Sequence, residues 1–174
     1  MEMYSASHIA FVFSSSAISA LARLMGVHSI HDFPAAADDD LFLNGCDELE
    51  QKGCLRYAGD RPAISETIGF LMSFLVKPET YYIIKSKNEQ IRVYALPGVF
   101  CLTDEFADGI LRIMPLQSSR DVVLTIDQLH KQQLMQVPIE ITVCEGGNAR
   151  SMEMDYYRMI DSLTLIMAQY DELQ

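Results

Sequence analysis

The order of secondary-structure elements is clearest in residues Leu41–Leu116, LFLNGCDELEQKGCLRYAGDRPAISETIGFLMSFLVKPETYYIIKSKNEQIRVYALPGVFCLTDEFADGILRIMPL. The apolar spacing of its first part predicts a helix that ends at Gly53, then a short strand and a second amphipathic helix. From Thr80 onward apolar and polar residues alternate, and short turn-forming segments interrupt the alternation. Because short turns join antiparallel neighbours, this stretch predicts an antiparallel β-sheet meander with helices packed on one face, an α+β fold.

Four strands are predicted in the alternating part. They are Thr80–Ser86, Gln90–Leu96, Val99–Thr103 and Gly109–Leu116, and their connections are Lys87-Asn88-Glu89, Pro97-Gly98 and Asp104–Asp108. One face of the second strand carries only apolar residues (Ile91, Val93, Ala95), and the other is mixed (Arg92, Tyr94, Leu96). We therefore expect helices on the apolar face, and a mixed face that is free or meets a partner.

Caps, periodicity and helix breakers predict the remaining elements. In the N-terminal part they are a strand at Ser7–Phe13, a helix capped by Ser14-Ser15-Ser16 and ended by Gly26, a helix near Leu41–Lys52, a strand at Cys54–Tyr57, and a helix opened by Asp60-Arg61-Pro62 and stopped at Lys77-Pro78. After the sheet they are a helix over Asp121–Gln133, a strand at Val137–Cys144, a turn or flexible hinge at Gly146-Gly147 and a final helix over about Met152–Leu173. Gly69 lies inside the third helix, where glycine costs about 1 kcal/mol relative to alanine, so it predicts close helix packing.

These elements predict a single α+β domain of 174 residues. Residues 1–78 would be mainly helical, residues 79–146 would form the sheet with one helix, and residues 147–174 would form the C-terminal helix. The apolar stripe of that last helix is wider than one face, which predicts packing on two sides or a role in an interface.

Composition limits the classes of partner. The chain has 49% hydrophobic residues and a net charge of −11, which a large core or apolar surface buried against another chain would explain. Its 24 acidic against 13 basic residues argue against nucleic acid, whose phosphates require clustered basic side chains. Neither a secretory signal nor a membrane-spanning run is recognised, so we expect a cytoplasmic protein without membrane insertion.

No residue pattern predicts catalysis or a cofactor. Cys46, Cys54, Cys101 and Cys144 are widely spaced and are interpreted as reduced packing residues. His28 and His31 lack the ligand spacing of a zinc site and are interpreted as surface loop residues. The acidic run Asp38–Asp40 is interpreted as stabilising a helix N-terminus, with an acidic face for a basic partner or metal as the alternative. No nucleophile–base pair and no phosphate-binding glycine loop is recognised, so we expect no enzyme, no metal and no cofactor.

Part of the N-terminal half is similar to a winged helix. DELEQKGCLRYAG, residues 47–59, has the order helix, glycine, strand in which a recognition helix leads to a β-wing. Here that helix carries Asp47, Glu48 and Glu50 against one lysine, Lys52, and would repel a phosphate backbone. An acidic winged-helix-like regulator that acts through protein or small-ligand contacts is therefore an alternative function.

The order of elements over about residues 7–129 resembles the N-terminal half of the substrate-specific chaperones of type VII (ESX) secretion. The resemblance rests on an ALARL helix, on DELEQKG-CLRYAG, on a helix ending in Lys-Pro-Glu and on strands around IRVYALPGVFCL. It implies a cytoplasmic, non-catalytic adaptor that holds a helical secreted substrate or a component of the secretion system. The chain is shorter than the two-lobed members of that family, and a homodimer would restore a two-lobed surface.

Candidate partner-binding residues come from the predicted faces and not from the resemblance. They are Arg92, Tyr94 and Arg112 on the polar face of the sheet, and Tyr157, Ile166 and Leu173 on the final helix. A third reading, an enzyme with a dispersed site, would require a deep pocket that gathers His8, His130 and a carboxylate.

Overall fold

The computed structural model describes residues 9–87 and 89–171. In this part of the chain the helices are α1 (Ser15–Leu24), α2 (Asp39–Gln51), α3 (Glu66–Val76), α4 (Ser119–Leu134) and α5 (Tyr156–Asp171). The strands are β1 (Phe11–Ser14), β2 (Ser29–Ile30), β3 (Phe33–Pro34), β4 (Leu55–Ala58), β5 (Arg61–Ile64), β6 (Thr80–Lys85), β7 (Gln90–Leu96), β8 (Val99–Ala107), β9 (Ile110–Leu116), β10 (Ile139–Glu145) and β11 (Asn148–Met154).

Seven of these strands form one sheet in the order β1-β9-β8-β7-β6-β10-β11. The run β9-β8-β7-β6 is the predicted meander, and β7 pairs antiparallel with both β6 and β8. The strand β10 then pairs antiparallel with β6 on one side and with β11 on the other. The predicted α+β class with an antiparallel sheet is confirmed, whereas the winged-helix interpretation of the N-terminal half stays a prediction.

The described chain divides into two compact units. The sheet unit comprises residues 9–11, 79–87, 89–105 and 112–171, and the helical unit comprises residues 12–78 and 106–111. The change at Pro78–Glu79 falls where the sequence passes from helical periodicity to alternation.

The core of the sheet unit lies between one sheet face and the helices α4 and α5. Alternate residues of each strand point into it, as the period of two requires. Its buried members include Tyr82, Ile84, Ile91, Val93, Phe100, Leu102, Met114, Leu116, Val122, Ile126, Ile139, Ile141, Met159, Leu163 and Met167. The apolar face predicted for the second strand is therefore the helix-covered face.

The helical unit is built around a close crossing of α1 and α2. The side chain of Ser14 caps α1 by accepting a hydrogen bond from the Ala17 N–H at 3.2 Å. At the crossing, a Cβ added to Gly45 would lie 2.3 Å from the carbonyl oxygen of Ser16. Gly45 therefore lets the two backbones approach. The packing role predicted for Gly69 is wrong, because outside its own helix backbone no atom of the described residues lies within 4 Å of the corresponding Cβ position.

The acidic run Asp38–Asp40 stabilises the start of α2, as predicted. The Asp38 carboxylate accepts a hydrogen bond from the Leu41 N–H at 2.7 Å, and Asp39 pairs with Arg23 at 2.8 Å. Both interactions place negative charge at the positive end of the helix dipole.

The predicted helix start at Asp60-Arg61-Pro62 is wrong, because β5 occupies Arg61–Ile64 and pairs with β4. Gly59 has φ +66° and lies in the two-residue turn between them, a conformation that glycine adopts without strain. The helix α3 begins only at Glu66 and ends before Lys77-Pro78, where the stop was predicted.

Two further boundaries differ from the predictions. The segment Asp104–Asp108 is not a turn, because β8 continues to Ala107. The final helix starts at Tyr156, and the residues before it form β11, which pairs with β10 along its full length. The predicted turn at Gly146-Gly147 joins these two strands, and both glycines have positive φ.

Candidate protein-binding surface

A row of polar side chains lies at the helix-covered face of the sheet, with Asp104 and His130 buried and Arg112 and Glu89 partly exposed. Arg112 donates to both oxygens of the Asp104 carboxylate, with Nε 2.9 Å from Oδ1. His130 of α4 lies on the other side, with Nε2 3.2 Å from Asp104 Oδ2 and Nδ1 3.0 Å from Glu89 Oε2. The Nε2 contact has ion-pair distance but not hydrogen-bond geometry. The contacts thus run from Arg112 through Asp104 and His130 to Glu89.

Burial and neighbouring charge act in opposite directions on Asp104. Burial alone would raise the pKa of this carboxyl, but the close contact with His130 and the hydrogen bonds and charge of Arg112 outweigh it and lower that pKa. The His130 ring is only 3% exposed and both of its nitrogens face carboxylates. These contacts therefore hold α4 against the sheet, and the His130 ring presents no atom to a substrate.

A second polar contact joins α4 to the start of α5. The Tyr156 hydroxyl donates to Asp127 Oδ1 at 2.6 Å, and Lys131 Nζ lies 2.9 Å from the same oxygen. The hydrogen bonds from Tyr156 and Lys131 lower the pKa of Asp127, whereas burial and the bond to Asp127 raise the pKa of Tyr156.

Tyr156→Phe is expected to lower the free energy of unfolding by about 1–2 kcal/mol, because it removes a hydrogen bond to a charged acceptor while leaving the ring. Tyr157→Phe is the matched control, since that side chain is 63% exposed and should give no measurable change. Thermal unfolding followed by circular dichroism measures both, and equal melting temperatures for the two variants would contradict this role of Asp127.

The strand β11 is the outer strand of the sheet unit. Every residue from Asn148 to Glu153 is exposed, and Met154 is partly buried against the core. In the described part of the chain β11 has a neighbouring strand on one side only. The strand is seven residues long, contains no proline, and keeps one unbroken register with β10. It thus lacks the proline and the bulge that protect many sheet edges, although Arg150 and Glu153 place charge on it.

Two shallow depressions flank this strand. One, of ≈440 Å³, is lined by Met135, Gln136, Val137, Pro138, Glu153, Met154, Asp155 and Tyr156. The other, of ≈300 Å³, is lined by Val143, Glu145, Asn148, Arg150 and Met152. Met135, Met152 and Tyr157 are large apolar side chains left exposed near them. Exposed apolar groups beside the open edge of an outer strand are typical of a protein-binding surface.

Arg92 and Tyr94 of the predicted sheet-face set lie on the face opposite the helix-covered core. Tyr94 is buried, stacks on Tyr81 with 5.7 Å between ring centroids, and has its pKa raised to about 12 by burial. Arg92 is partly exposed beside it. Tyr94 is therefore placed to pack rather than to present its ring to a partner.

Arg112 does not share that face. It lies on the core face of β9 with Met114 and Leu116 and donates to Asp104, so the structure does not bring Arg92 and Arg112 together. On α5, Tyr157 is exposed and Ile166 packs against the core of the sheet unit. Leu173 lies outside the described residues, as does His8.

The histidine and cysteine interpretations are mostly supported. His28 is exposed, but the prediction of a surface position for His31 is wrong, because it is buried in the β2–β3 turn. All four cysteines are free, and Cys144 alone among them is not fully buried. Among residues 9–87 and 89–171, no group of three or more His, Cys, Asp or Glu side chains could hold a metal ion.

Sequence reasoning missed β11 and the exposed Met135 and Met152. The signal for β11 was available: seven residues follow the Gly146-Gly147 turn, and apolar Met152 and Met154 alternate with polar Ser151 and Glu153. A two-residue glycine turn after a strand is typical of a hairpin.

No known protein family matches the sequence, and no curated protein matches it either. Within the described helices, none combines the length and the apolar character that crossing a membrane demands.

Proposed function

We propose that this chain is a non-catalytic accessory protein that binds another protein through the side of the sheet unit that carries β11. The observation that supports this most is the exposure of a whole seven-residue outer strand beside Met135, Met152 and Tyr157. Burying such a strand and its apolar neighbours against a partner would satisfy main-chain groups and remove apolar area from water together.

The resemblance to type VII secretion chaperones supplies the class of partner. We propose a helical secreted substrate or a component of the secretion system, held in the cytoplasm before export. The acidic charge of the chain fits a partner with basic segments, since complementary charge speeds association and excludes acidic competitors. A second copy of the chain is the other candidate partner.

A regulator of winged-helix type is the alternative. The helical unit contains the order of elements that favours this alternative, namely α2, then Gly53, then the β4–β5 hairpin. Tyr57 projects from this hairpin and is exposed. In that case partner contacts would centre on the hairpin and not on β11.

Site-specific photo-crosslinking tests both proposals in cells of the source organism. A benzophenone amino acid replaces Tyr157 in one variant and Tyr57 in the other, and adducts are identified by mass spectrometry. We expect a discrete adduct from position 157 with a helical secreted protein or a secretion component, and none from position 57. Adducts from position 57 alone would favour the regulator, and the absence of any adduct at either position would contradict a protein-binding function.

A further inference from the structure

The outward main-chain groups of β11 can be assigned from the hairpin geometry. A two-residue turn joins Glu145 to Asn148, and the pair that closes such a turn is hydrogen-bonded. Because hydrogen-bonded and non-bonded pairs alternate in an antiparallel ladder, residues 150, 152 and 154 also bond inward. The N–H and C=O groups of Ala149, Ser151 and Glu153 therefore point away from β10, where no described strand lies.

An apolar row leads from the core to this edge. Ile84, Ile141 and Met152 lie side by side on β6, β10 and β11 and face the helices. Their exposed fractions are 0%, 3% and 48%, so the helices cover the first two residues and leave Met152 half-uncovered. The depression that Met152 shares with Val143 and Arg150 lies on the same face. An apolar side chain on an added strand would continue the row.

On the face of the sheet opposite the helices, the negative charge of Glu153 has no basic residue on the neighbouring strand directly across from it. Lys85, Glu140 and Glu153 form one row across β6, β10 and β11, and all three are exposed. Lys85 faces Glu140, but Glu153 directly opposes the like charge of Glu140, an arrangement that destabilises a cross-strand pair. A lysine or arginine on an added strand opposite Glu153 would remove this repulsion.

We propose that β11 accepts an extended segment of a partner protein as an eighth strand, antiparallel to β11, with basic residues alternating with apolar ones. A basic residue lies directly opposite Glu153, on the same face of the sheet as Glu140, and the apolar residues lie beside Met152. This deepens the proposed protein-binding function and rests on it. A second copy of β11 fits less well as the added strand. Residues directly opposite each other on paired strands lie on the same face of the sheet, whereas Arg150 and Glu153 lie on opposite faces. Pairing of β11 with itself therefore never places Arg150 opposite Glu153.

Synthetic seven-residue peptides of alternating lysine and valine test the proposal against the intact protein. Binding is measured by fluorescence anisotropy, and the site by amide exchange at Ala149, Ser151 and Glu153. We expect the lysine–valine peptide to bind at least about tenfold more tightly than a glutamate–valine peptide and to slow exchange at those three amides.

Backbone methylation separates strand addition from simple attraction to an acidic protein. Methylating the backbone nitrogens of the lysines blocks the edge that pairs with β11, whereas methylating those of the valines leaves it open, at equal charge. We expect only the first modification to abolish binding. Equal binding of the two methylated peptides, or loss only with methylated valines, would overturn the proposal.

Variants of Ser151 give the matching test on the protein. Ser151→Pro removes an outward donor at a position where an outer strand tolerates proline, and Ser151→Ala keeps that donor. We expect roughly a tenfold loss for proline and less than about a twofold change for alanine. Two results together would overturn this proposal in favour of self-pairing. The wild type would sediment as a dimer that Ser151→Pro dissociates, and the wild type would not bind the peptide. The crosslinks expected at Tyr157 would be unaffected by failure of the peptide test, so the two proposals fail separately.

Discussion

The Gly45→Ala variant is expected to be less stable than the wild type by about 3 kcal/mol, although alanine is the better helix former by about 1 kcal/mol. The added Cβ would lie 2.3 Å from the Ser16 carbonyl oxygen and 2.6 Å from the Ala20 Cβ. Neither atom belongs to a flexible side-chain end, so α1 and α2 must separate and lose contact along their crossing. Chemical unfolding followed by circular dichroism at the helix band measures the loss.

Gly69→Ala is the matched control for this prediction. Gly69 also lies inside a helix, its φ is not positive, and no atom lies within 4 Å of the added Cβ. We expect it to stabilise the protein by about 0.5–1 kcal/mol through helix propensity alone. If both variants were stabilised, the close crossing at Gly45 would be contradicted.

Asp104→Asn is expected to lower the free energy of unfolding by about 3–5 kcal/mol, because it leaves the Arg112 guanidinium without its buried counter-charge. The Asp104 carboxylate is 2% exposed and accepts hydrogen bonds from two nitrogens of the Arg112 side chain. Water therefore cannot take the place of the lost negative charge. Urea unfolding of the two proteins measures the difference. The control is Asp39→Asn, which breaks an exposed pair with Arg23 and should cost less than about 1 kcal/mol. Similar losses in both variants would show that burial of Asp104 has no energetic weight.

The same pair predicts the direction of an acid effect. The folded-state pKa of Asp104 is lower than its ordinary value of 3.8, so its contribution to stability is fully present above that value. The contribution is lost as the pH falls through the folded-state pKa, when the carboxyl becomes protonated. The stability difference between wild type and Asp104→Asn should therefore shrink as the pH falls below about 3.8. A difference that grows on acidification would contradict this sign.

Elements with strong local signals were predictable from the sequence. A cap of α1 within Ser14-Ser15-Ser16, the stop at Lys77-Pro78 and the full extent of β7 depend on neighbouring residues only, and each was predicted correctly. The β4–β5 hairpin was missed because Pro62 opens helices as readily as it occupies an exposed strand. Local sequence leaves that choice to tertiary packing.

The contacts that matter most for stability were not predictable in the same way. The polar contacts at the helix-covered face join separate elements of the chain, through Asp104, Arg112, His130 and Glu89. The sequence pattern predicts a turn at Asp104, and an acidic residue in a turn is expected to face water. Gly45 and Gly69 look alike along the chain, since each interrupts a helix. Only the crossing of α1 over α2 distinguishes them, and that crossing depends on residues distant in sequence.

The helical unit is interrupted in sequence, and this has a consequence for its synthesis on the ribosome. Its residues 12–78 are completed by residues 106–111, and the Ser15 N–H donates to the Gly109 carbonyl oxygen at 2.7 Å. The start of α1 therefore waits for an acceptor that is translated only after β6, β7 and β8. A nascent chain stalled at Pro78 would hold every helix of this unit and still lack its closing contact, so folding of the N-terminal half must finish late in translation.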